Sequence, residues 1–428
     1  MARQTVTPFR AWSVVLAALA INLILGVLYA WSVMGKALVV QWHWKRTEAS
    51  LPFTVSAASF AFMMIFAGRW QDKIGPRYVA MLGGIILALG LAASALAATP
   101  QWMWLTFGLV GGLGIGLGYS ATTPPSIKWF PPARKGLITG IVVSGVGLAA
   151  VYIAPLTQWL LKAHTIPSTF LILGSGTIVL VTLLSLVLAN PPAGYVPASS
   201  AALTPAGVAS RAAGLTRPEV DWREMLQTPQ FYQLWVMFVL AASAGLMIIS
   251  QMALIAKDQA HIDAWGFLPV ALLALFNTLG RVLSGFLSDR IGRSKTMVLA
   301  FALQAINMFI FVHYTTPAWL LFGAAFAGLC YGTIFTLFPA TTADFYGVRN
   351  LGVNYGLIFT GFGVAGVLGP IVGARIRDAS GSYGLAFIIA MGMLLLGALL
   401  ALTLRSPKPQ PVSEASKPVP EPSHAARP

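Results

Sequence analysis

Residues 68–77 read Gly-Arg-Trp-Gln-Asp-Lys-Ile-Gly-Pro-Arg, and residues 285–295 read Gly-Phe-Leu-Ser-Asp-Arg-Ile-Gly-Arg-Ser-Lys. Both stretches fit the pattern G-x-x-x-D-[K/R]-x-G, and each follows directly after a long apolar run. Gly285 follows Gly68 by 217 residues, which is close to half of the 428-residue chain. A repeat at this spacing indicates that the chain consists of two related halves.

The composition is that of a membrane protein. Hydrophobic residues make up 57% of the chain and charged residues 9%, and the mean hydropathy is +0.77. Soluble globular domains do not have this composition. A net charge of +15 would suggest a nucleic-acid partner in a soluble protein. Here the basic residues fall in short loops, so we expect a lipid bilayer and no nucleic acid.

Twelve apolar segments are each long enough to cross a bilayer as a helix of about 20 residues. Numbered in chain order as spans 1 to 12, they are 12–34, 51–69, 78–98, 102–124, 137–160, 168–190, 230–255, 265–288, 296–314, 318–340, 351–373 and 383–404. The sequence therefore predicts an all-α polytopic membrane protein with two pseudo-symmetric six-helix halves, at 1–190 and 229–404. A cytoplasmic linker at 191–228, rich in Pro, Ala and Ser, joins them, and a disordered cytoplasmic tail follows at 405–428.

The orientation follows from the distribution of Lys and Arg. If both termini lie on one side, the segments on that side hold 19 of the 27 basic residues and the opposite loops hold seven. Cytoplasmic loops carry such an excess of positive charge. We therefore expect the N-terminus, the linker and the C-terminus to lie in the cytoplasm.

The repeated stretch resembles the cytoplasmic loop 2–3 motif of the major facilitator superfamily. Its glycines permit a tight turn and close helix packing, and its Asp can accept hydrogen bonds from an arginine or from a helix N-terminus. The repeat thus predicts a latch that holds the cytoplasmic side closed in an outward-open state. The alternative is that these loops serve only as orientation signals. The expected gating residues are Asp72, Arg77, Asp289, Arg290 and Arg293.

Arg281 is the one charge that falls deep within a span. It precedes the next charged residue, Asp289, by eight positions, which places it about 12 Å from the membrane edge. Asn277 lies one turn earlier on the same helix face. Charges at this depth usually face a cavity and mark a functional path. Arginine suits a carboxylate, so we expect Arg281 and Asn277 to bind an anion, with a purely structural arginine as the alternative.

The remaining candidate residues are aromatic or apolar. The related sequences Gly-Leu-Gly-Tyr119 and Gly-Leu-Cys-Tyr331 place two tyrosines at comparable depths in spans 4 and 10. Buried hydroxyls need partners, so lining the cavity and packing in the core are equal alternatives for both tyrosines. The other expected pocket residues are Leu28, Tyr29, Phe335, Phe359 and Phe362. For Phe359 and Phe362 core packing is the default interpretation.

Enzymatic activity has no support in the sequence. The chain shows no nucleophile–base constellation and no cluster of metal ligands, and its single cysteine is Cys330. We therefore expect no cofactor and no metal ion.

Several further stretches resemble the branch of the superfamily that holds oxalate–formate antiporters and monocarboxylate transporters. They are 26–31, 129–136, 222–232, 277–289 and 354–356. The resemblance implies that Arg281 is the substrate-binding arginine. Oxalate carriers of this branch have a lysine where this chain has Phe362, so a monoanion is the expected substrate. Animal-type monocarboxylate carriers have a proton-handling Asp where this chain has Asn277.

The resemblance and the residues together predict a secondary active transporter of small monocarboxylates such as lactate or pyruvate, acting by alternating access in symport with a proton. The nearest alternative is an exchanger of carboxylate anions, as in oxalate–formate antiport. Multidrug efflux is a weaker alternative, because cationic-drug exporters generally need a carboxylate within the membrane. The expected location is a bacterial inner membrane, which the chain crosses many times.

Overall fold

The computed structural model describes residues 8–192, 195, 219–262 and 267–407. Most of the expected linker and of the expected tail lies outside the described residues. The helices are Pro8–Leu25 and Trp31–Gln41 in span 1, Arg46–Ile74 in span 2, Pro76–Ser94 in span 3, Pro100–Met103, Gly112–Ser120 and Thr123–Lys128 in span 4, Lys135–Ala163 in span 5, Ile166–Ser185 in span 6, Trp222–Leu226 before span 7, Pro229–Ala260 in span 7, Phe267–Ile291 in span 8, Arg293–Phe311 in span 9, Pro317–Tyr346 in span 10, Leu351–Ser380 in span 11 and Gly384–Thr403 in span 12.

The prediction of an all-α protein with twelve spans is confirmed. Within the described residues, twelve helical segments are long and apolar enough to cross a membrane, and none of the elements is a strand. Several helices extend beyond their apolar runs, because a helix continues into the polar region where water or caps satisfy its ends. Span 2, for example, is helical to Ile74, so the Asp of the first repeat lies in its last turn.

Two spans depart from regular α-helix. Span 1 contains a 3-10 stretch at Gly26–Ala30, and span 4 contains a π-helical stretch at Trp104–Gly111. Both lie in the first half of the chain. Such local changes of helical pitch redirect the side chains that follow them and often occur at functional sites.

The two repeats form the same turn. Gly75 ends span 2 with a φ of 93°, and Gly292 ends span 8 with a φ of 97°. Residues other than glycine rarely adopt these backbone angles, which explains the last glycine of the pattern. The next helix begins at once, at Pro76 in one half and at Arg293 in the other. We call the end of the helix bundle that carries these two turns the motif end.

The halves meet through two symmetric helix pairs. Span 2 packs against span 11, and span 8 packs against span 5. The first glycine of each repeat lies at the contact, Gly68 against Gly352 and Gly285 against Gly136, and a Cβ at any of these four positions would collide with the facing backbone. Small residues of this kind let membrane helices approach closely. The pairs hold the motif end together and lead inward to the level of Arg281.

Candidate functional site

Arg281 lies at the interface between the halves. Its side chain projects from span 8, and only 1% of the residue is exposed. The guanidinium donates from Nε to Oδ1 of Asn277 at 3.1 Å and from Nη1 to the backbone oxygen of Val143, in span 5, at 2.6 Å. These bonds use two of the five N–H groups of an arginine. Within the described residues three remain, and the paired hydrogen bonds that a carboxylate accepts need two.

A chain of aromatic rings leads from Arg281 to the first half of the protein. The guanidinium lies 4.4 Å from the ring centre of Phe335, and the Phe335 ring lies 5.7 Å from that of Phe362. Phe362 stacks on Phe359 at 5.1 Å, and Phe359 contacts Phe60 of span 2 at 5.0 Å. Rings from both halves thus form one continuous apolar wall beside the charge. Such a wall excludes water and strengthens electrostatic attraction at Arg281.

The tyrosines lie around this wall. Tyr331 contacts Phe335 at 5.3 Å, and Tyr119 contacts Phe359 at 5.8 Å. Tyr355 lies on Phe359 as well, at 5.6 Å. The charge of Arg281 acts on all three phenol groups. The buried hydroxyls of Tyr119 and Tyr355 interact with each other, but neither makes a hydrogen bond of normal geometry within the described residues. A buried hydroxyl left in this way is costly, which favours a ligand as its partner.

The structure therefore brings most of the expected pocket residues together, and it adds two. Phe60 and Tyr355 contact this cluster but are not among the predicted site residues. Tyr29 interacts electrostatically with Tyr119 and Tyr331, so it also faces the group. Leu28 lies beside it in the 3-10 stretch of span 1 and is half-buried against the core. Nothing in the chemistry of Phe60 separates it from other apolar residues of span 2, whereas Tyr355 lies in the Asn-Tyr-Gly stretch already singled out.

The aspartates of the repeats connect the halves at the motif end. Oδ1 and Oδ2 of Asp72 accept hydrogen bonds from the backbone nitrogens of Gly352 and Val353, at 3.3 and 3.0 Å. Asp289 does the same with Gly136 and Leu137, at 2.9 and 2.8 Å. Each carboxylate thus binds the first amides of a helix in the opposite half, where the helix dipole also attracts an anion. These contacts require the motif end to be closed.

The basic residues of the repeats differ in their contacts. Arg293 forms an ion pair with Asp289 at 2.7 Å and with Asp344 at 2.9 Å. Arg290 lies over the ring of Phe286 at 4.0 Å. No ion pair or side-chain hydrogen bond joins Arg77 to another residue in the described part of the chain. A cavity of about 280 Å³ lies beside Arg293 at the motif end, and its lining includes Ser288, Asp289 and Arg293.

Comparisons with known proteins agree with this architecture. The chain matches the family described as Major Facilitator Superfamily over residues 11–305 and 268–428. It is 27% identical to an oxalate:formate antiporter of Oxalobacter formigenes, over 96% of this chain and 95% of the relative. It is also 27% identical to monocarboxylate transporter 13 of Rattus norvegicus, over 92% and 88%. A solved structure of the proton:xylose symporter XylE superposes with a TM-score of 0.70 at 13% identity, over 92% and 96%.

Proposed function

We propose that this chain, which belongs to the Major Facilitator Superfamily, carries small monocarboxylates across a membrane by alternating access in symport with a proton. Members of this family are transporters and not enzymes. Two of the relatives named above carry, by their names, monocarboxylates or oxalate and formate. The proposal extends this chemistry to the present chain.

The observation that carries the proposal is the isolated charge of Arg281. Within the described residues no carboxylate pairs with it, although it is 99% shielded from solvent. A buried charge is strongly unfavourable unless a partner of opposite sign compensates it. A carboxylate that binds the three remaining N–H groups would supply this partner. The anion would then lie between spans 5 and 8, in contact with both halves.

The surroundings of Arg281 favour a short monoanion. Phe335, Phe359 and Phe362 offer an apolar surface and no second cation to neutralise a dianion. Asn277 supplies a neutral amide next to the guanidinium. We infer that the hydroxyls of Tyr119 and Tyr355 bind an oxygen on C2 of the substrate. A 2-hydroxy or 2-oxo acid would therefore bind better than an unsubstituted acid of the same length.

Substrate binding would promote closure of the protein around the site. Neutralising Arg281 lowers the cost of enclosing its charge in an occluded cavity, so the bound anion favours the occluded state over the open one. We place the motif end in the cytoplasm of a bacterium, with the protein in the inner membrane and both termini inside. In this orientation the described conformation is closed toward the cytoplasm through Asp72 and Asp289.

Proton coupling needs a carrier other than residue 277. Asparagine does not titrate, and arginine keeps its charge at physiological pH. We infer that the coupled proton is carried by a group away from the guanidinium, so that the substrate occupies Arg281 as the anion. A pH gradient then drives uptake without an acidic residue beside Arg281.

Uptake of labelled L-lactate into proteoliposomes tests this function. The vesicles contain no substrate, and their interior is made alkaline. A symporter accumulates lactate under the gradient, and the gain disappears when an ionophore dissipates it. Vesicles preloaded with unlabelled carboxylate provide the comparison, because an exchanger takes up lactate only from these. Uptake in neither type of vesicle would contradict monocarboxylate transport.

A further inference from the structure

The segment just before span 7 makes hydrogen bonds to the motif end that do not involve the gating aspartates. Glu219 is not part of any span, yet its carboxylate accepts hydrogen bonds from the backbone nitrogens of Arg349 at 2.7 Å and Val348 at 3.4 Å. These residues form the turn between spans 10 and 11. Span 11 begins two residues later, at Leu351, and presents its first amides to Asp72. We call the bonds of Asp72 to span 11 the first latch and those of Asp289 to span 5 the second latch. Glu219 therefore fixes the turn that positions the partner of the first latch.

The neighbouring residue holds the same turn from its other side. The backbone nitrogen of Val220 donates to the backbone oxygen of Tyr346 at 3.0 Å. Its backbone oxygen accepts hydrogen bonds from the side chains of Asn350 at 3.2 Å and Asn354 at 3.1 Å. Glu219 and Val220 thus bind both the end of span 10 and the first turn of span 11. We call these two residues the turn clamp.

The charge of Glu219 also acts on the opposite half. Lys128, at the end of span 4, interacts electrostatically with both Asp72 and Glu219. Asp72 and Lys128 belong to one half, while the turn clamp is bonded to the other. If the motif end opens, Lys128 separates from Glu219. Their attraction therefore exists mainly in the closed conformation and favours it, and Lys128 also offsets the repulsion between the like charges of Glu219 and Asp72.

The second latch has a similar set of charges that comes from the spans themselves. There Asp289 binds the start of span 5, Arg293 pairs with Asp289, and Asp344 pairs with Arg293 at 2.9 Å and with Lys135 at 3.4 Å. The outer acid of this set, Asp344, lies in span 10. Around the first latch, Lys128 interacts electrostatically with two acids, Asp72 and Glu219, and Glu219 is the one that lies outside the spans.

We propose that Glu219 is a positioning residue of the first latch, which completes the charge set around Asp72 and stabilises the closed motif end, as Asp344 does around Asp289. Glu219 acts through the turn of residues 346–350 and through Lys128, and it does not touch the substrate. The alternative is that the clamp is only a structural connection before span 7. The proposal rests on the proposed function in one respect, since it assumes that the motif end opens and closes.

The test measures the distance between the halves at the motif end. Spin labels are attached at Tyr78→Cys in span 3 and Leu299→Cys in span 9, both on exposed side chains, in a Cys330→Ser background. Double electron–electron resonance in purified protein without substrate then gives the populations of the closed and open motif end. Because no anion is present, the result does not depend on which substrate the protein carries. A failure of lactate transport and a failure of this proposal are therefore separate outcomes.

Glu219→Gln removes the charge and keeps one acceptor oxygen, which can serve the short bond from Arg349 while the 3.4 Å bond from Val348 is lost, so it tests mainly the attraction to Lys128. We expect the ratio of open to closed molecules to rise about two- to fivefold. Glu219→Ala removes both the charge and the acceptor, and we expect a rise of about tenfold or more. The matched control is Glu224→Gln. The Glu224 carboxylate lies in the same segment but accepts its hydrogen bond from Asp221, away from the turn.

A double-mutant cycle separates the effect of the lost charge attraction from that of the lost hydrogen bonds. In a Lys128→Gln background the change Glu219→Gln should have a smaller effect than in the parent, because only the weak bond from Val348 is still lost, whereas Glu219→Ala should still open the motif end through the loss of both hydrogen bonds. Parent-like populations in both Glu219 variants would overturn the proposal. An equal shift in Glu224→Gln would also overturn it, because the effect would then belong to the charge of the segment and not to the turn clamp.

Discussion

Replacing Arg281 by glutamine should abolish high-affinity binding of a monocarboxylate while the protein stays folded. The guanidinium is buried between spans 5 and 8, and two of its five N–H groups are occupied by Asn277 and Val143. Glutamine removes the positive charge and leaves a bound carboxylate without its partner. An unpaired charge at a buried site costs about 3–5 kcal/mol, which weakens binding by roughly 10²- to 10⁴-fold.

Arg281→Lys should have an intermediate effect. Lysine keeps the charge but cannot form the planar pair of hydrogen bonds, and its shorter reach toward Val143 removes a contact between the halves. The loss of one charge-assisted hydrogen bond, about 1.5–3 kcal/mol, predicts affinity about 10- to 100-fold below that of the parent protein. The expected order is therefore Arg, then Lys, then Gln.

Calorimetric titration of L-lactate into purified protein measures these differences directly. Heat unfolding of the same samples gives the control for folding. We expect the midpoint of Arg281→Gln to equal or exceed that of the parent, because the substitution also removes an uncompensated buried charge. Arg375→Gln, the same chemical change at an exposed position of span 11, should bind normally. Parent-like affinity in Arg281→Gln would refute the reasoning, and so would a loss of affinity that only accompanies a loss of fold.

Three further changes test other parts of the site. Tyr355→Phe removes one buried hydroxyl without changing the ring, so KM for lactate should rise about 2- to 10-fold. KM for propionate, which has no oxygen on C2, should stay constant. Equal changes for both acids would contradict the inferred role. Phe362→Lys adds a second cation beside the aromatic wall, so the ratio of oxalate to lactate binding in competition assays should rise at least about tenfold, and an unchanged ratio would argue against this position as the selector of charge. Asp289→Asn weakens the hydrogen bonds from Gly136 and Leu137, so spin labels at residues 78 and 299 should report a larger open population at the motif end. A parent-like distance distribution would show that the aspartate does not hold the halves together.

The fold could be predicted because its signals are local and repeated. Each span is an apolar run of sufficient length, and the two copies of the G-x-x-x-D-[K/R]-x-G pattern mark the same turn in both halves. The structure explains the pattern in physical terms, with left-handed angles at Gly75 and Gly292 and close helix contacts at Gly68 and Gly285. The 3-10 and π-helical stretches were not predicted, because an apolar run has the same composition in either helical form.

The site could be predicted only in part. Arg281 is recognisable from its depth alone, since every other charge lies at or near the end of a span, and Asn277 follows from helical spacing. Phe60 is one apolar residue among many in span 2, and its contact with Phe359 depends on how the two halves pack. The inferred role of Glu219 could not be predicted from the sequence either, because its hydrogen-bond partners lie about 130 residues away and are backbone amides, which have no sequence signature.

The central claim is that the carboxylate of a small substrate binds Arg281 between the two halves. The most direct measurement is a crystal structure of the protein with 2-bromopropionate, in which anomalous scattering locates the bromine. The account predicts a bromine peak beside the aromatic wall of Phe335 and Phe359, with the carboxylate on the guanidinium of Arg281. A peak confined to the cavity at the motif end, next to Arg293, would contradict it.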